Sequence, residues 1–339
     1  MSDLADNAPG GEVGHARELA SPPQTWAEAR PLLRSILRPA TYAGVYKPGE
    51  PVSWRQPATS FLHELVVLDL PESPATVTTE HTERWGVSST EVFAAGRENI
   101  ASLHPVGAHE AAGGMFCDAG ARSYIGSAIL TPGWLASFTP PPGTRTIALM
   151  PNEDTLIVGY DDPDQGVQFF ETAEQLFRDS DQPVSPQAFI ECDGQVVSFD
   201  KCGLHPLRRL ALRARSYEAE RIYNEQAEFL SRVYQEQRFD CHAAPICLVD
   251  VGDRTATAAA WGQGVIADLP EVDYVFFLGA SERFAVPFPV VVDIVGLLPS
   301  AGFYPPRYRV TGWPERDMLE MLRFHALPMS LRKSCRTGG

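Results

Sequence analysis

The sequence predicts an α+β protein with two lobes, in which mixed or mainly antiparallel sheets are flanked by helices. Helix and strand signals follow one another without the strict alternation that a parallel sheet requires. The clearest local signal is a β-hairpin, in which segments 188–192 and 195–199 are joined by Asp193-Gly194, the pair that a type I′ turn prefers. The length of 339 residues suits roughly two domains of ~150 residues each.

Capping residues predict where the first helix begins. Thr25 and Glu28 form a capping box, in which each side chain accepts a hydrogen bond from the other residue's backbone N–H. We expect this helix to continue to Pro39, with Pro31 as an alternative start or a kink, because proline disrupts a helix interior. Its expected apolar face consists of Leu32, Leu33, Ile36 and Leu37.

Two more helices are predicted after a strand at about 61–70. The first covers 79–85 and ends at Gly86, because helices commonly end at a glycine in the left-handed conformation. The second begins at a further capping box, formed by Ser88 and Glu91, and its helical spacing of apolar residues continues to Leu103.

Strand signals dominate the middle of the chain. We expect two strands at 146–150 and 155–160 to be joined by a turn of sequence Pro-Asn-Glu-Asp. Residues 161–166 are predicted to turn the chain into a hairpin arm at 167–170.

The longest helix signal covers 216–239 and is polar apart from a narrow apolar stripe, which is typical of a helix on the surface or between two halves. After it we expect strands near 246–251, 255–261, 274–278, 290–295 and 307–311, and then a helix from Pro314 to about Phe324. The predicted parts of the chain are a disordered leader (1–24), an α+β domain (25–205), a second α+β domain (206–330) and a flexible tail (331–339).

Composition argues against several classes of protein. The formal net charge of −15 opposes nucleic-acid binding, although a short arginine cluster lies at 208–215. No apolar stretch approaches the ~18 residues of a membrane-spanning helix, and the first residues lack the features of a signal peptide. We therefore expect a cytoplasmic protein with neither a nucleic-acid nor a membrane partner.

Motifs for cofactors and metals are incomplete. Segment 262–267 matches G-x-G-x-x-A, but Pro270 leaves room for about one helical turn, so a glycine turn between strands is favoured. The cysteine spacings do not fit the C-x₂₋₄-C pairs of structural zinc sites. We predict no cofactor, no metal and reduced cysteines. The cysteines whose spacings were compared with a zinc site are Cys192, Cys202, Cys241 and Cys247, with His205 and His242 nearby.

Residues 60–160 resemble a known family. The segments are HELVVLDL (63–70), EHTERWGVSSTEVFAAGRENIASL (80–103), SYIGSAIL (123–130) and MPNEDTLIVG (150–159). Their order and spacing are similar to the YtpQ family of bacterial cytosolic proteins, in which an aliphatic strand precedes a "VPxxDxLIL" hairpin. That family has no established activity, so the resemblance implies an α+β fold and a cytosolic location. The matching positions are Trp85, Asn99, Ile100, Ser102, Leu103, Pro151, Asp154, Leu156 and Ile157.

Two hypotheses for the function remain. The first is a non-catalytic interaction or regulatory protein, whose helix 216–239 could present Tyr217, Tyr223 and Tyr234 to a protein partner. The alternative is a hydrolase-type enzyme with an active site in the 99–154 region. A pocket that held two or more of its candidate residues beside a carboxylate or histidine of perturbed pKa would favour the enzyme. The candidate catalytic residues are Asn99, His104, Asp118, Tyr124, Asn152 and Asp154.

Overall fold

The computed structural model describes residues 23–42, 52–107, 114–117, 124–327 and 332–333. Its α-helices are α1 (Trp26–Ala29), α2 (Thr79–Trp85), α3 (Ser89–Leu103), α4 (Pro163–Asp179), α5 (Arg208–Glu236), α6 (Phe288–Val295) and α7 (Arg316–Phe324). Its β-strands are β1 (Leu33–Pro39), β2 (Arg55–Pro57), β3 (Leu62–Leu68), β4 (Ala75–Thr76), β5 (Gly114–Cys117), β6 (Thr146–Asn152), β7 (Thr155–Tyr160), β8 (Ala188–Cys192), β9 (Gln195–Ser198), β10 (His242–Ala243), β11 (Cys247–Val251), β12 (Arg254–Gly262), β13 (Ala267–Pro270), β14 (Tyr274–Leu278), β15 (Arg283–Pro287), β16 (Arg307–Val310) and β17 (Arg332–Lys333). The 3₁₀ helices are Arg30–Leu32, Ile125–Leu130, Leu135–Ser137 and Phe199–Lys201. These elements confirm the α+β class. Most of the predicted leader and tail lies outside the described residues.

The predicted starts of α1 and α3 and the predicted end of α2 are confirmed. Both capping boxes form. The side chains of Thr25 and Ser88 accept from the backbone N–H groups of Glu28 and Glu91, and the two glutamate side chains accept from the backbone N–H groups of Thr25 and Ser88. Helix α2 ends at Gly86, which has a φ of 67°. A positive φ of this size suits glycine because it has no Cβ atom.

The predicted long first helix is wrong. Helix α1 is short, the 3₁₀ turn that contains Pro31 follows it, and Leu33–Pro39 forms β1. Strand β1 pairs with β3 along its whole length, from Leu33 opposite Leu68 to Pro39 opposite Leu62. The apolar residues of this segment fit a strand that is buried on both faces as well as they fit a helix. Pairing with β3 stabilises the strand.

Three other segments also differ from expectation. Asp162 accepts hydrogen bonds from the N–H groups of Asp164 and Gln165, so residues 163–179 form α4 instead of a turn and a hairpin arm. Residues 290–295, expected as a strand, lie in α6, which Gly296 ends with a φ of 73°. The aliphatic strand that the family resemblance implies at 123–130 is the 3₁₀ helix 125–130. Short apolar runs do not distinguish strand from helix by periodicity alone.

Two antiparallel sheets form the first half of the molecule. Strands β1, β3 and β2 are adjacent in that order, with β4 also paired to β3, while the second sheet has the order β5-β7-β6-β8-β9. Asp193 and Gly194 have φ angles of 52° and 73°, so the predicted hairpin turn is confirmed. Along β6, Ile147 and Leu149 pack with α4 and α5, while Ala148 and Met150 pack on the opposite face.

The second half contains mixed sheets. Strands β10, β13 and β16 form one, and the other has the order β15-β14-β12-β11-β17. The pairs β10–β13 and β12–β14 are parallel, and the remaining pairs are antiparallel. The glycine segment 262–267 joins β12 to β13 through Gly264, which has a φ of 79°, as expected of a turn between strands.

Helix α5 joins the cores of both halves. Its N-terminal residues Ala211 and Ala214 pack against the second sheet, and Ile222 and Tyr223 pack in the core of the mixed sheets. The helix thus lies between two halves, one of the two positions that its polarity predicts. The domain boundary between 205 and 206 stays a prediction.

Helix α3 packs closely on β1 at a glycine and an asparagine. A Cβ atom at Gly96 would lie 2.8 Å from Ser35 Oγ, so the helix could not approach β1 as closely with a larger residue. One turn later, Asn99 Nδ2 donates hydrogen bonds to the carbonyl oxygens of Arg30 and Leu33, at 2.7 and 2.9 Å. The amide therefore links α3 to the chain that enters β1.

We predict that Asn99→Ala lowers the free energy of unfolding by roughly 1–3 kcal/mol, because the carbonyl groups of Arg30 and Leu33 each lose one donor and α3 loses its hydrogen bonds to the chain that enters β1. Denaturant titration of wild type and variant measures the change. Glu98→Ala is the matched control, since Glu98 forms only an exposed ion pair with Arg30 and its loss should cost under about 1 kcal/mol. Equal stability of wild type and Asn99→Ala would show that the link is dispensable.

A buried carboxyl group lies where α5 meets the second sheet. Glu218 is 0% exposed and accepts a hydrogen bond from Gln187 Nε2. Burial raises the pKa of Glu218 to about 8, against the opposing effect of that hydrogen bond. Asp200 raises the pKa further, while the positive charge of Arg215 lowers it. The side chain is therefore protonated in the folded protein at neutral pH.

We predict that Glu218→Gln reduces the loss of stability that the wild type shows as the pH rises from 4.5 to about 8. The unfolded chain releases this proton near its ordinary pKa of 4.5, while the folded protein holds it to about 8. Stability is therefore full below 4.5 and falls as pH rises through this window, by about 1.4 kcal/mol per unit of pKa difference. Denaturant titrations at pH 5 and pH 8 measure the fall.

The exposed Glu228 on the same helix supplies the control, since Glu228→Gln should follow the wild-type pH dependence. A Glu218→Gln variant that loses as much stability as wild type between the two pH values would contradict the assignment of a buried neutral acid.

Candidate functional site

A cleft of about 350 Å³ lies between the first sheet and the β6–β7 hairpin. Side chains alternate along a strand, so Arg34, Ile36 and Arg38 share one face of β1. Ile36 and Arg38 form one wall, with Val67 from β3 beside them. A volume of this size falls in the range of small-molecule sites. The polar residues of the lining include Arg38, Tyr42, Tyr124, Ser127, Glu153, Asp154 and Gln182.

Residues 124–127 enter the cleft in an unusual conformation. Tyr124 has a φ of 53°, which is rare for an aromatic residue, and strained backbone of this kind occurs most often at functional sites. Gly126 follows, where a Cβ atom would overlap Met150 Sδ. A larger residue at position 126 would therefore force the Met150 side chain to move.

One end of the β1 face carries a tyrosine–carboxylate–arginine contact. Tyr124 donates its hydroxyl proton to Asp69 Oδ1 at 2.7 Å, and Arg34 Nη2 lies 3.6 Å from Asp69 Oδ2. This contact orients Tyr124, whose ring lines the cleft.

A second ion pair lies in the wall of the cleft. Arg38 Nη2 donates to Glu153 Oε2 at 2.8 Å, and the guanidinium lies over the Tyr42 ring at 5.4 Å from its centroid. Burial raises the pKa of Glu153 although Arg38 opposes the shift, and the neighbouring Asp154 adds to it. Glu153 is thus a poorly stabilised carboxylate beside a cation.

Arg38 retains unused hydrogen-bonding capacity. Its Nη1 donates to the carbonyl oxygen of Leu37 and its Nη2 to Glu153, but the buried Nε has no acceptor among the described residues. Only 12% of this side chain is exposed. Because buried donors in folded proteins nearly always have an acceptor, a donor left over in the wall of a cleft points to a ligand that supplies one.

The structure brings two of the sequence-predicted residues together. Tyr124 and Asp154 both line the cleft, and Asn152 Oδ1 accepts from the N–H of Asp154 at 3.2 Å, which holds the turn. Asn99 instead binds the carbonyl oxygens below α3, and His104 follows the last residue of that helix. Asp118 lies outside the described residues.

Sequence reasoning missed Arg38, Glu153 and Asp69. The helix that the sequence predicts places Arg34 and Arg38 on its polar face, opposite the apolar residues, where both would be exposed to solvent. Glu153 belongs to the predicted Pro-Asn-Glu-Asp turn, and its burial depends on contacts that are distant in sequence.

The face of α5 that was expected to contact a protein partner packs mostly inside the molecule. Tyr223 and Tyr234 are 1% and 8% exposed, so the expectation that they contact a protein partner is wrong. Tyr217 is half-buried, and the Arg178 guanidinium lies 4.5 Å from its ring centroid.

The described ranges contain neither a candidate metal cluster nor a candidate membrane span. No group of three or more histidine, cysteine, aspartate and glutamate side chains in them could hold a metal ion. Each helix in the same ranges is too short or too polar to cross a membrane.

Comparisons of the chain with protein-family models, with curated proteins and with solved structures found no match. The resemblance to the YtpQ family, with the cytosolic location that it implies, therefore stays a prediction, and the cleft itself is the basis for inferring function.

Proposed function

We propose that this chain is a non-catalytic regulatory protein that binds a small anionic molecule in the cleft beside Arg38. The observation that carries the proposal is the buried Arg38 Nε without an acceptor among the described residues. Arginine presents several donors in a planar fork, which matches the two oxygens of a carboxylate or phosphate.

The ion pair with Glu153 supports an exchange of partners. Because burial raises the pKa of Glu153, its carboxylate is less stable there than in water. A ligand carboxylate or phosphate that binds Arg38 displaces this carboxylate, which takes up a proton or turns to solvent. If the displaced carboxylate stays buried in the cleft, binding is accompanied by proton uptake near the pKa of Glu153.

The apolar surface of the cleft suits the remainder of such a molecule. Ile36, Val67 and Met150 line it, and Tyr42 offers an aromatic face beside Arg38. Small-molecule sites commonly combine apolar walls with a few oriented polar groups. A compact organic anion is therefore favoured over an inorganic ion.

A hydrolase-type enzyme is the second candidate, and the Glu153–Asp154 pair favours it. The raised pKa of Glu153 beside a second carboxylate resembles the separation of roles between a general acid and a general base. Tyr124 and Asp154 also lie in one cleft, as the sequence-based hypothesis requires. Hydrolysis of p-nitrophenyl esters or phosphates by wild type, lost in Glu153→Gln, would replace the binding proposal with this one.

We predict that at least one of citrate, phosphate and adenosine monophosphate raises the melting temperature of wild type, because a ligand that binds only the folded state stabilises it. Arg38→Gln should weaken that binding by about tenfold or more, as expected for loss of a charge-assisted hydrogen bond. Titration calorimetry measures the affinity.

Arg30→Gln is the matched control, since this arginine forms an exposed ion pair and should leave binding unchanged. Glu153→Gln provides a test in the opposite direction: removal of the competing carboxylate should strengthen binding. If no anion stabilises the protein, or if Arg38→Gln binds like wild type, the proposal is wrong.

A further inference from the structure

A second arginine lies on the same face of β1 as Arg38. Arg34 precedes Arg38 by four residues, so the two Cα atoms are about 13 Å apart at about 3.3 Å per residue of strand. The lining of the cleft follows the same direction along the sheet. It includes Arg38 and Ile36, and also Val67, which is paired with Arg34 in the register of β1 and β3. The cleft therefore extends from Arg38 to the level of Arg34.

The two guanidinium groups are held in the same way. Each Nη1 donates to the carbonyl oxygen of the preceding residue, to Leu33 from Arg34 at 2.8 Å and to Leu37 from Arg38 at 2.9 Å. In both side chains the buried Nε has no acceptor among the described residues. The exposed fractions of the two side chains are 15% and 12%. One face of one strand thus presents two buried donors of the same kind, each without an acceptor in the described part of the chain.

The carboxylate beside Arg34 leaves room for a ligand oxygen. Arg34 Nη2 lies 3.6 Å from Asp69 Oδ2, which is longer than a hydrogen bond. The other oxygen, Asp69 Oδ1, accepts from the Tyr124 hydroxyl at 2.7 Å. Asp69 therefore balances the charge of Arg34 without a close contact to its donors. A ligand can bind Arg34 while the hydrogen bond between Tyr124 and Asp69 is kept.

An apolar surface separates the two arginines. Ile36, which lies between them on β1, is 2% exposed and packs in one cluster with Val67 and Tyr124. All three residues also line the cleft. The part of a ligand that lies between Arg34 and Arg38 therefore meets apolar side chains, and a hydrocarbon spacer suits it better than a charged one.

We propose that the ligand of the cleft carries two anionic groups joined by an apolar spacer, with one group bound by Arg38 and the other by Arg34. This inference rests on the proposed function and specifies its ligand as an organic dianion. Each anionic group supplies an acceptor to one of the two unsatisfied Nε donors, through the charge-assisted hydrogen bonds that a guanidinium forms with carboxylate or phosphate. Arg34 is then the residue that distinguishes a dianion from a monoanion.

Aliphatic dicarboxylates from adipate to dodecanedioate test the proposal, and the monomethyl ester of each diacid is the matched monoanion. In titration calorimetry, wild type should bind diacids of the best length about tenfold or more tightly than their esters, because the second carboxylate binds at a high effective concentration. Arg34→Gln should remove this preference and leave the affinity for the esters unchanged. Arg30→Gln, which alters an exposed arginine, should keep the preference.

Asp69→Asn tests the same site in the opposite direction. The substitution removes the negative charge beside Arg34, while the amide oxygen can still accept from the Tyr124 hydroxyl. Diacids should therefore bind more tightly than to wild type, and esters should bind as before. This variant keeps the proposal testable if Arg34→Gln lacks a cooperative thermal transition and so does not fold.

The outcomes separate this inference from the proposed function. Diacids that bind no more tightly than their esters at any length would overturn the inference and leave the proposed function in place. A folded Arg34→Gln variant that keeps the preference, or binding of citrate, phosphate or adenosine monophosphate without binding of any diacid, would do the same. If none of these anions binds, the proposed function is wrong and the inference fails with it.

Discussion

The buried guanidinium of Arg307 constrains the packing of the C-terminal half. Arg307 is 0% exposed, and it donates to the carbonyl oxygens of Tyr223, Ala244 and Asp268 and to Gln226 Oε1. Burial lowers its pKa to about 10, so it remains charged at neutral pH. A buried charge is tolerated only where its donors are satisfied, and these acceptors come from α5, the segment after β10, and β13. Those elements can therefore pack around β16 in few other ways.

This constraint extends through α5 to the candidate site. Tyr223 of α5 also donates its hydroxyl to the Pro306 carbonyl, beside Arg307. Two residues further along α5, Glu225 accepts a hydrogen bond from Thr41, which follows β1. Thr41 immediately precedes Tyr42, the aromatic residue beside Arg38 in the cleft. The position of one cleft wall thus depends on a helix that the C-terminal half holds in place.

Local chemistry determines how much of this arrangement the sequence could predict. The caps at Ser88 and Gly86 and the Asp193-Gly194 turn depend on a few adjacent residues, and all are confirmed. The sequence does not identify strand β1 and helix α6, because a short apolar run satisfies either periodicity and contacts distant in sequence select between them. The cleft is predictable only in part. Tyr124 and Asp154 stand out by residue type, whereas the importance of Arg38 becomes visible only once β1 is known to be a strand.

Two buried arginines differ in how many of their hydrogen-bond donors have acceptors within the protein, and this difference distinguishes a structural arginine from one that is available to a ligand. Arg307 has acceptors for Nε, Nη1 and Nη2, and all of them belong to the protein, so adding a ligand could only break bonds that already exist. Arg38 has acceptors for Nη1 and Nη2, one of them the carboxylate of Glu153, whose pKa burial raises. Among the described residues nothing accepts from its Nε. Because an unsatisfied buried donor costs on the order of 1–3 kcal/mol, an anion that satisfies it gains that free energy on binding. The difference lies in the saturation of the donors, since both side chains are largely removed from water.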